Sequence, residues 1–147
     1  MTLSSPSNTQ QLDLESITTL ESQLQQRQNL AAIGQRYTDI VWAAGLFEGE
    51  GSIFFDTTKS KYRSSLKMTD KDVMESFFNT IQLGKLYGPY TPKEKKVNGE
   101  NRKDFWIWHC YEPLQVYSFL KMLIPYLGKR RTTKALEAFN HLNEIIN

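Results

Sequence analysis

The 147-residue sequence predicts an α+β domain with elements in the order α, ββ, α, ββ, α, α, behind an N-terminal extension. Three observations carry that prediction. A wholly apolar run, Ile40–Phe47, leads straight into two glutamates set among glycines. Directly after Gly51 the hydrophobic period changes from helical to two, and after Gly84 it does so again, each time over a length that fits a hairpin. Behind each hairpin lies an amphipathic stretch with apolar residues three and four apart.

Residues 1–36 form the extension, rich in Ser, Thr and Gln and opening with Ser4-Ser5-Pro6-Ser7. Such a composition buries little apolar surface, so disorder is expected over the first dozen residues. From Leu12 onward Ile17, Leu20, Leu24 and Ile33 recur at loosely helical intervals, and a helix packed on the core or on a partner is expected. The domain proper spans residues 37–147. Thr38 or Asp39 is placed to cap its first helix, which should run to about Phe47. Strands follow at Ser52–Thr58 and Lys61–Met68; on the second, Tyr62, Ser64, Leu66 and Met68 share one face, and Lys61, Arg63, Ser65 and Lys67 share the other.

Thr69 or Asp70 starts a helix that turns Val73, Met74, Phe77 and Ile81 inward, with Gly84 as its C′ residue. Lys85–Tyr90 is the third strand. Pro92, Asn98-Gly99 and the charged run Lys93–Lys96 make Thr91–Asn101 a turn, after which Arg102–Tyr111 pairs back. Large residues occupy both faces of that strand, Phe105 and Ile107 against Trp106 and Trp108, so alternation does not decide which face is core. Pro113 at the first helical position opens a helix with Val116, Phe119, Leu120, Leu123 and Ile124 inside, and Pro125 ends or kinks it. Lys134–Ile146 is the last helix, with Leu136, Phe139, Leu142 and Ile146 apolar.

The length suits one domain core. A single cysteine, Cys110, excludes an internal disulfide framework and fits a reducing compartment. No secretory signal is visible and no stretch approaches the about 20 apolar residues of a membrane span, so a soluble, intracellular protein is expected. Net charge is only +2, but residues 1–50 hold two bases against six acids, which leaves sixteen bases against ten acids in residues 51–147. That asymmetry points to a polyanion-facing surface.

Ile40–Gly51 carries the chemistry. Too short to span a bilayer, a helix apolar all round is buried all round. Gly45 and Gly49 lie four apart on one face, where the missing Cβ admits a second backbone at short distance. Glu48 and Glu50 sit at the negative end of the helix macrodipole, where carboxylates need a compensating cation such as a divalent metal. A plain core helix followed by an acidic turn is the competing reading.

With Ala43 in first position, Ala44-Gly45-Leu46-Phe47-Glu48-Gly49-Glu50-Gly51 resembles the motif that names the LAGLIDADG homing endonucleases, with glutamate in place of both aspartates. From about Tyr37 onward the order of elements is similar to the single-motif branch of that family. The resemblance implies a LAGLIDADG endonuclease-like αββαββα domain, whose four-stranded antiparallel sheet forms a saddle on double-stranded DNA. It implies a homodimer through the motif helix, with Trp42, Gly45, Leu46 and Gly49 at the interface. The implied activity is Mg²⁺-dependent or other divalent-metal-dependent hydrolysis of both strands at a long pseudo-palindromic site.

By the same resemblance, Glu50 with the Gly49 carbonyl is the metal-binding position, and Glu48 holds the second acidic position. Lys129 follows the Pro125-Tyr126-Leu127 segment where the family places a catalytic lysine, and Arg130 competes for that role. Asp70 replaces a solvent-positioning glutamine. The groove-facing candidates are Ser52, Phe54, Asp56 and Thr58 on the first strand, Lys61, Arg63, Ser65 and Lys67 on the second, and Lys71. Lys85, Arg102 and Lys103 join them from the second hairpin. An RNA splicing maturase or a DNA-binding regulator on the same fold, without cleavage, is the alternative.

Overall fold

The computed structural model describes residues 13–146, and the chain divides into two compact units, one ending at Thr38 and the other beginning at Asp39. Helix α1 (Leu14–Glu50) is continuous over both. Its first turn is capped by Asp13, whose Oδ1 accepts the Ser16 N–H at 2.7 Å, a bond that holds the Asp13 carboxyl below its ordinary value. The helix expected in the extension is present, with Leu14, Ile17, Leu20, Leu24, Leu30 and Ile33 exposed along it. The expectation of disorder in the first dozen residues falls outside the described residues.

The expected cap at Thr38 or Asp39 is not formed. Thr38 Oγ1 instead donates to the Gly34 carbonyl at 3.0 Å, the bond of a hydroxyl inside a continuing helix. No proline lies between Leu14 and Glu50, and Gly34 costs only about 1 kcal/mol against alanine, so nothing stops the helix there. Nor does it stop at Phe47; it continues one turn, and Glu48 and Glu50 are helical.

In the second unit α1 leads directly into β1 (Gly51–Asp56), followed by β2 (Lys61–Met68), α2 (Lys71–Ile81), β3 (Lys85–Tyr90) and β4 (Phe105–Cys110). Helix α3 (Pro113–Leu123), a 3₁₀ turn (Ile124–Tyr126) and α4 (Lys129–Ile146) complete the chain. The four strands form one antiparallel sheet of order β1-β2-β4-β3, as the α+β reading predicts. One hairpin joins β1 to β2 through Asp56↔Lys61, and Ser64↔Cys110 to Met68↔Trp106 knits the two hairpins together.

The core lies on one face of this sheet. Ile53, Leu66, Trp108 and Cys110 point into it and meet Ala43, Ala44 and Phe47 of α1, Met74, Phe77 and Ile81 of α2, Val116, Phe119, Leu120 and Leu123 of α3, and Ala135, Ala138 and Leu142 of α4. Four aromatic rings form its centre: Phe47–Phe119 at 5.0 Å, Trp108–Phe119 at 4.8 Å, Phe77–Trp108 at 5.1 Å and Phe47–Trp108 at 6.5 Å between centroids. The face of β4 left open by alternation is thereby decided. Trp108 is wholly buried, and its indole N–H donates to the Leu83 carbonyl at 2.8 Å, the partner that a buried tryptophan requires.

Several boundaries differ from the expected ones. Helix α2 ends on Gln82 (φ 59°), whose N–H bonds to the Phe78 carbonyl at 2.8 Å, and not on Gly84. Gly84 serves another purpose: at φ +77° a Cβ there would meet the His109 carbonyl and the Trp108 ring. Strand β4 starts at Phe105, because Lys95↔Asn101 closes a small hairpin and leaves Arg102 and Lys103 in the loop before it. Pro125 ends α3 as expected, through the 3₁₀ turn. Helix α4 begins at Lys129, five residues before the expected start, so its buried residues are Ala135, Ala138 and Leu142, while Leu136 is exposed.

Trp108→Ala should lower unfolding stability by about 3–5 kcal/mol in urea titration, since it empties the centre of the core and strands the Leu83 carbonyl. A loss below about 1 kcal/mol would show that this ring is not the centre of packing.

Candidate acidic site and nucleic-acid interface

The five residues Phe47–Gly51 fix the acidic end of α1. The Phe47 ring lies where a Cβ on Gly51 would be, so only glycine lets helix pass into strand at that point. Arg131 then takes the Gly51 carbonyl as acceptor for its Nη2. Between these anchors the two glutamates diverge. Glu50 is exposed and opens on a depression of about 380 Å³ lined also by Lys67, Met68, Thr69, Asp70 and Phe105. Glu48 turns the other way, against Gly128, where a Cβ would collide with its carboxylate; its Oε2 is buried without a hydrogen-bond partner.

Gly128 opens α4, its carbonyl accepting the Thr132 N–H at 2.8 Å. Glu48 therefore lies at the positive end of that helix's dipole, which favours its charge. Lys129 and Arg130 are exposed on the same first turn, with Arg131 half-buried. Three cations at a helix N-terminus are disfavoured, and the Glu48 carboxylate offsets them. The basic triple, read from sequence as a loop, is thus helical. It lines a groove of about 700 Å³ with Gly51, Ser52, Ile53, Thr133, Lys134 and Glu137. Lys129 and Arg130 share this groove, whereas Glu50 and Asp70 share the other depression.

The sheet face away from the core gathers most of the expected groove-facing residues. The registers put Ser52, Phe54 and Asp56 of β1, Lys61, Arg63, Ser65 and Lys67 of β2, and Lys85 of β3 on it together. Thr58 lies in the turn, its N–H bonded to Asp56 Oδ1 at 3.0 Å. Lys71 lies off the sheet in the first turn of α2, 3.7 Å from Glu75, and Arg102 and Lys103 sit in the loop before β4. Sequence reasoning missed Phe105, Ile107 and His109 of β4 and Tyr87 and Tyr90 of β3, which share the face, and Tyr111 just beyond. Alternation would have found them once Trp108 was known to be core.

Basic and aromatic groups touch on this face. Lys67 Nζ stands 4.1 Å from the Phe105 ring centroid, and Lys59, Lys61 and Arg63 surround the Tyr111 ring. Burial, and then the Arg63 guanidinium, hold the His109 imidazole below its ordinary value.

The motif helix is buried on one side only. Ile40, Ala43, Ala44 and Phe47 are in the core, while Trp42 is 43% exposed and a Cβ on Gly45 or Gly49 would have nothing within 4 Å. Leu46 is half-buried at the edge of the core. Of the helix expected to be buried all round, the side bearing Trp42, Gly45 and Gly49, expected to meet a second copy, is an open apolar face on this chain.

No family model and no curated protein matches the sequence. Among solved structures, the homing endonuclease I-CvuI, in complex with its target in the presence of calcium, superposes with a TM-score of 0.52 at 16% identity, over 77% of this chain and 71% of that one. The fold is that of the LAGLIDADG homing endonucleases. The LAGLIDADG meganuclease I-CpaMI, bound to uncleaved DNA, gives 0.53 at 13% identity over 74% of this chain. I-AabMI, likewise on uncleaved DNA, gives 0.52 at 18% over 72%. This chain spans only 37% and 36% of those two LAGLIDADG meganucleases. Among the described residues no helix is long and apolar enough to cross a membrane, and no group of three or more His, Cys, Asp or Glu stands ready for a metal.

Because the His109 imidazole is held low, the unfolded chain takes up its proton first as pH falls. The stability present at neutral pH should therefore decline as pH drops through about 6.5. His109→Gln should flatten the change in urea midpoint between about pH 7 and 5.5; an unaltered slope would assign that titration to other groups.

Proposed function

We propose that this chain is a site-specific DNA endonuclease that works as a homodimer, hydrolysing both strands of a long pseudo-palindromic duplex with a divalent cation, Mg²⁺ by preference. One observation carries the reading: an exposed basic and aromatic sheet face ends beside the helix terminus that presents Glu50, in a fold whose solved examples include I-CvuI on its target with calcium and I-AabMI on uncleaved DNA.

The donor set suits a hard cation. Glu50 and Asp70 offer carboxylate oxygens in one open depression, and Gly49 adds a carbonyl at the exposed end of α1. One chain falls short of three acidic ligands, and a second copy brings a second Glu50. When bound, the cation supplies water activation and neutralises the leaving oxygen. Asp70 orients solvent beside Glu50, and Lys67, in the same depression, draws the phosphodiester in. Glu48 acts through α4, holding the turn that carries Lys129 and Arg130, whose charges stabilise the phosphate as it becomes more anionic. The face of Trp42, Gly45 and Gly49 is where the partner's motif helix packs, with Leu46 at its margin.

Digestion of a duplex library with Mg²⁺ or Ca²⁺, followed by sequencing of cut ends, tests the activity. Binding in both cations without cutting in Mg²⁺ would leave a DNA-binding regulator, and a preference for structured RNA would leave the maturase. Glu50→Gln should bind as wild type and cut at least about 100-fold more slowly. Wild-type cutting by that variant would move the ligand elsewhere.

Gly45→Leu separates the interface from the fold. Since nothing in the chain occupies the space beyond Gly45, the variant should fold with wild-type far-UV circular dichroism and should melt at a temperature independent of protein concentration, whereas the wild-type melting point should rise with concentration. The variant should sediment as a monomer. A Gly45→Leu protein that stays dimeric would place the interface on another surface.

A further inference from the structure

At the turn of the first hairpin three cations gather on one ring. Lys59 and Lys61 Nζ and the Arg63 guanidinium carbon lie 5.9, 5.4 and 5.3 Å from the Tyr111 centroid. Among the described residues only Arg63 of the three has an ion-pair partner. Its Nη1 donates to Asp56 Oδ2 at 3.0 Å, and the two side chains are only 20% and 15% exposed. Its Nε is buried with no partner, so the stem is confined as well.

Asp56 is itself immobilised. Its Oδ1 accepts the N–H groups of Thr58 at 3.0 Å and Lys59 at 3.2 Å, which ties the carboxylate to the turn. The hydrogen bond from Arg63 holds the Asp56 carboxyl below its ordinary value, so the pair is charged at neutral pH. Both carboxylate oxygens are thus engaged inside the protein. The guanidinium is held by a carboxylate at Nη1 and a ring beside it, and with Nε buried the donors left uncommitted are those of Nη2 and the second N–H of Nη1.

A fixed planar fork and a mobile ammonium suit different targets. A guanine edge in the major groove presents two acceptors, O6 and N7, at a set spacing, and a donor whose ordering cost is already met discriminates best. Phosphates accept from any direction and suit flexible lysines. We propose that Arg63, clamped by Asp56 and Tyr111, reads one guanine in each half-site, while Lys59 and Lys61 follow the phosphate backbone. Asp56 is then a positioning residue for Arg63 and does not itself touch DNA. The inference rests on the DNA-binding reading above.

The test is competition binding in Ca²⁺, with the best site from a random duplex library and its single-base variants, over a range of salt. Wild type should prefer guanine at one position per half-site by about 10-fold or more. Asp56→Asn should retain bulk duplex affinity within about threefold and lose most of that preference. Arg63→Lys leaves the Asp56 turn intact, keeps the charge, and should lose the preference as well. The double variant Lys59→Ala, Lys61→Ala removes four lysines from the dimer and should weaken all sequences alike, reduce the salt slope by about 4, and keep the guanine preference. Undiminished preference in Asp56→Asn or Arg63→Lys would overturn the proposal while leaving DNA binding standing. Absence of duplex binding by the wild-type protein would overturn both.

Discussion

The Phe47 ring is the point on which the rest of the second unit depends. It fills the space a Cβ would take on Gly51, touches Phe119 and Trp108, and so joins the end of α1 to β1, β4 and α3 at one place. Because one side chain anchors the helix and a glycine underneath it starts the strand, the residues between them have little freedom. Glu48 and Glu50 are two apart on a helix and must diverge by roughly 200°. One is driven against Gly128 and the other outward, without either being steered by a partner of its own. Arg131, bonded to the Gly51 carbonyl, ties the same junction to α4.

That arrangement resolves an electrostatic conflict between distant segments. A helix that starts with Lys129-Arg130-Arg131 and another that ends with two glutamates each violate the preference of the backbone dipole. Set end to end through Gly128, the two violations offset each other in part, and what remains is cationic charge on the groove beside β1 and a carboxylate in the depression beside β2. The fold keeps unlike charges close to each other yet opens them to different recesses. A polyanion laid over the sheet would meet the first, and a hard cation would suit the second.

Much of this was legible in the residues, for reasons that particular elements make plain. The change of period at Gly51 placed β2 to the residue, because a strand with one basic and one apolar face has only one register that keeps lysine out of the core. The inward faces of α2 and α3 followed from spacing alone. Where the reading stopped short, the deciding partner lay far away in sequence. The start of α4 was hidden because the charge that stabilises it is Glu48 on another helix. The face of β4 was hidden because four consecutive large residues alternate, and the Leu83 carbonyl that accepts from Trp108 decides between them. The absence of a break at Thr38 reflects a general weakness: a residue that can cap a helix can also sit inside one.

The Arg63–Asp56 pair bears on how this surface can change. A recognition face built of independent side chains could be retargeted one position at a time, each substitution adding its effect to the last. Here, replacing Arg63 with a shorter neutral residue leaves a largely buried carboxylate without its partner, and replacing Asp56 leaves the guanidinium unsupported. Under the recognition role proposed for Arg63, drift between target sequences at this position has to pass through a less stable intermediate or through two substitutions together. Selection libraries that randomise residue 63 alone will sample the wrong landscape; varying 56, 63 and 111 jointly treats the three as the single heritable unit that their contacts make them.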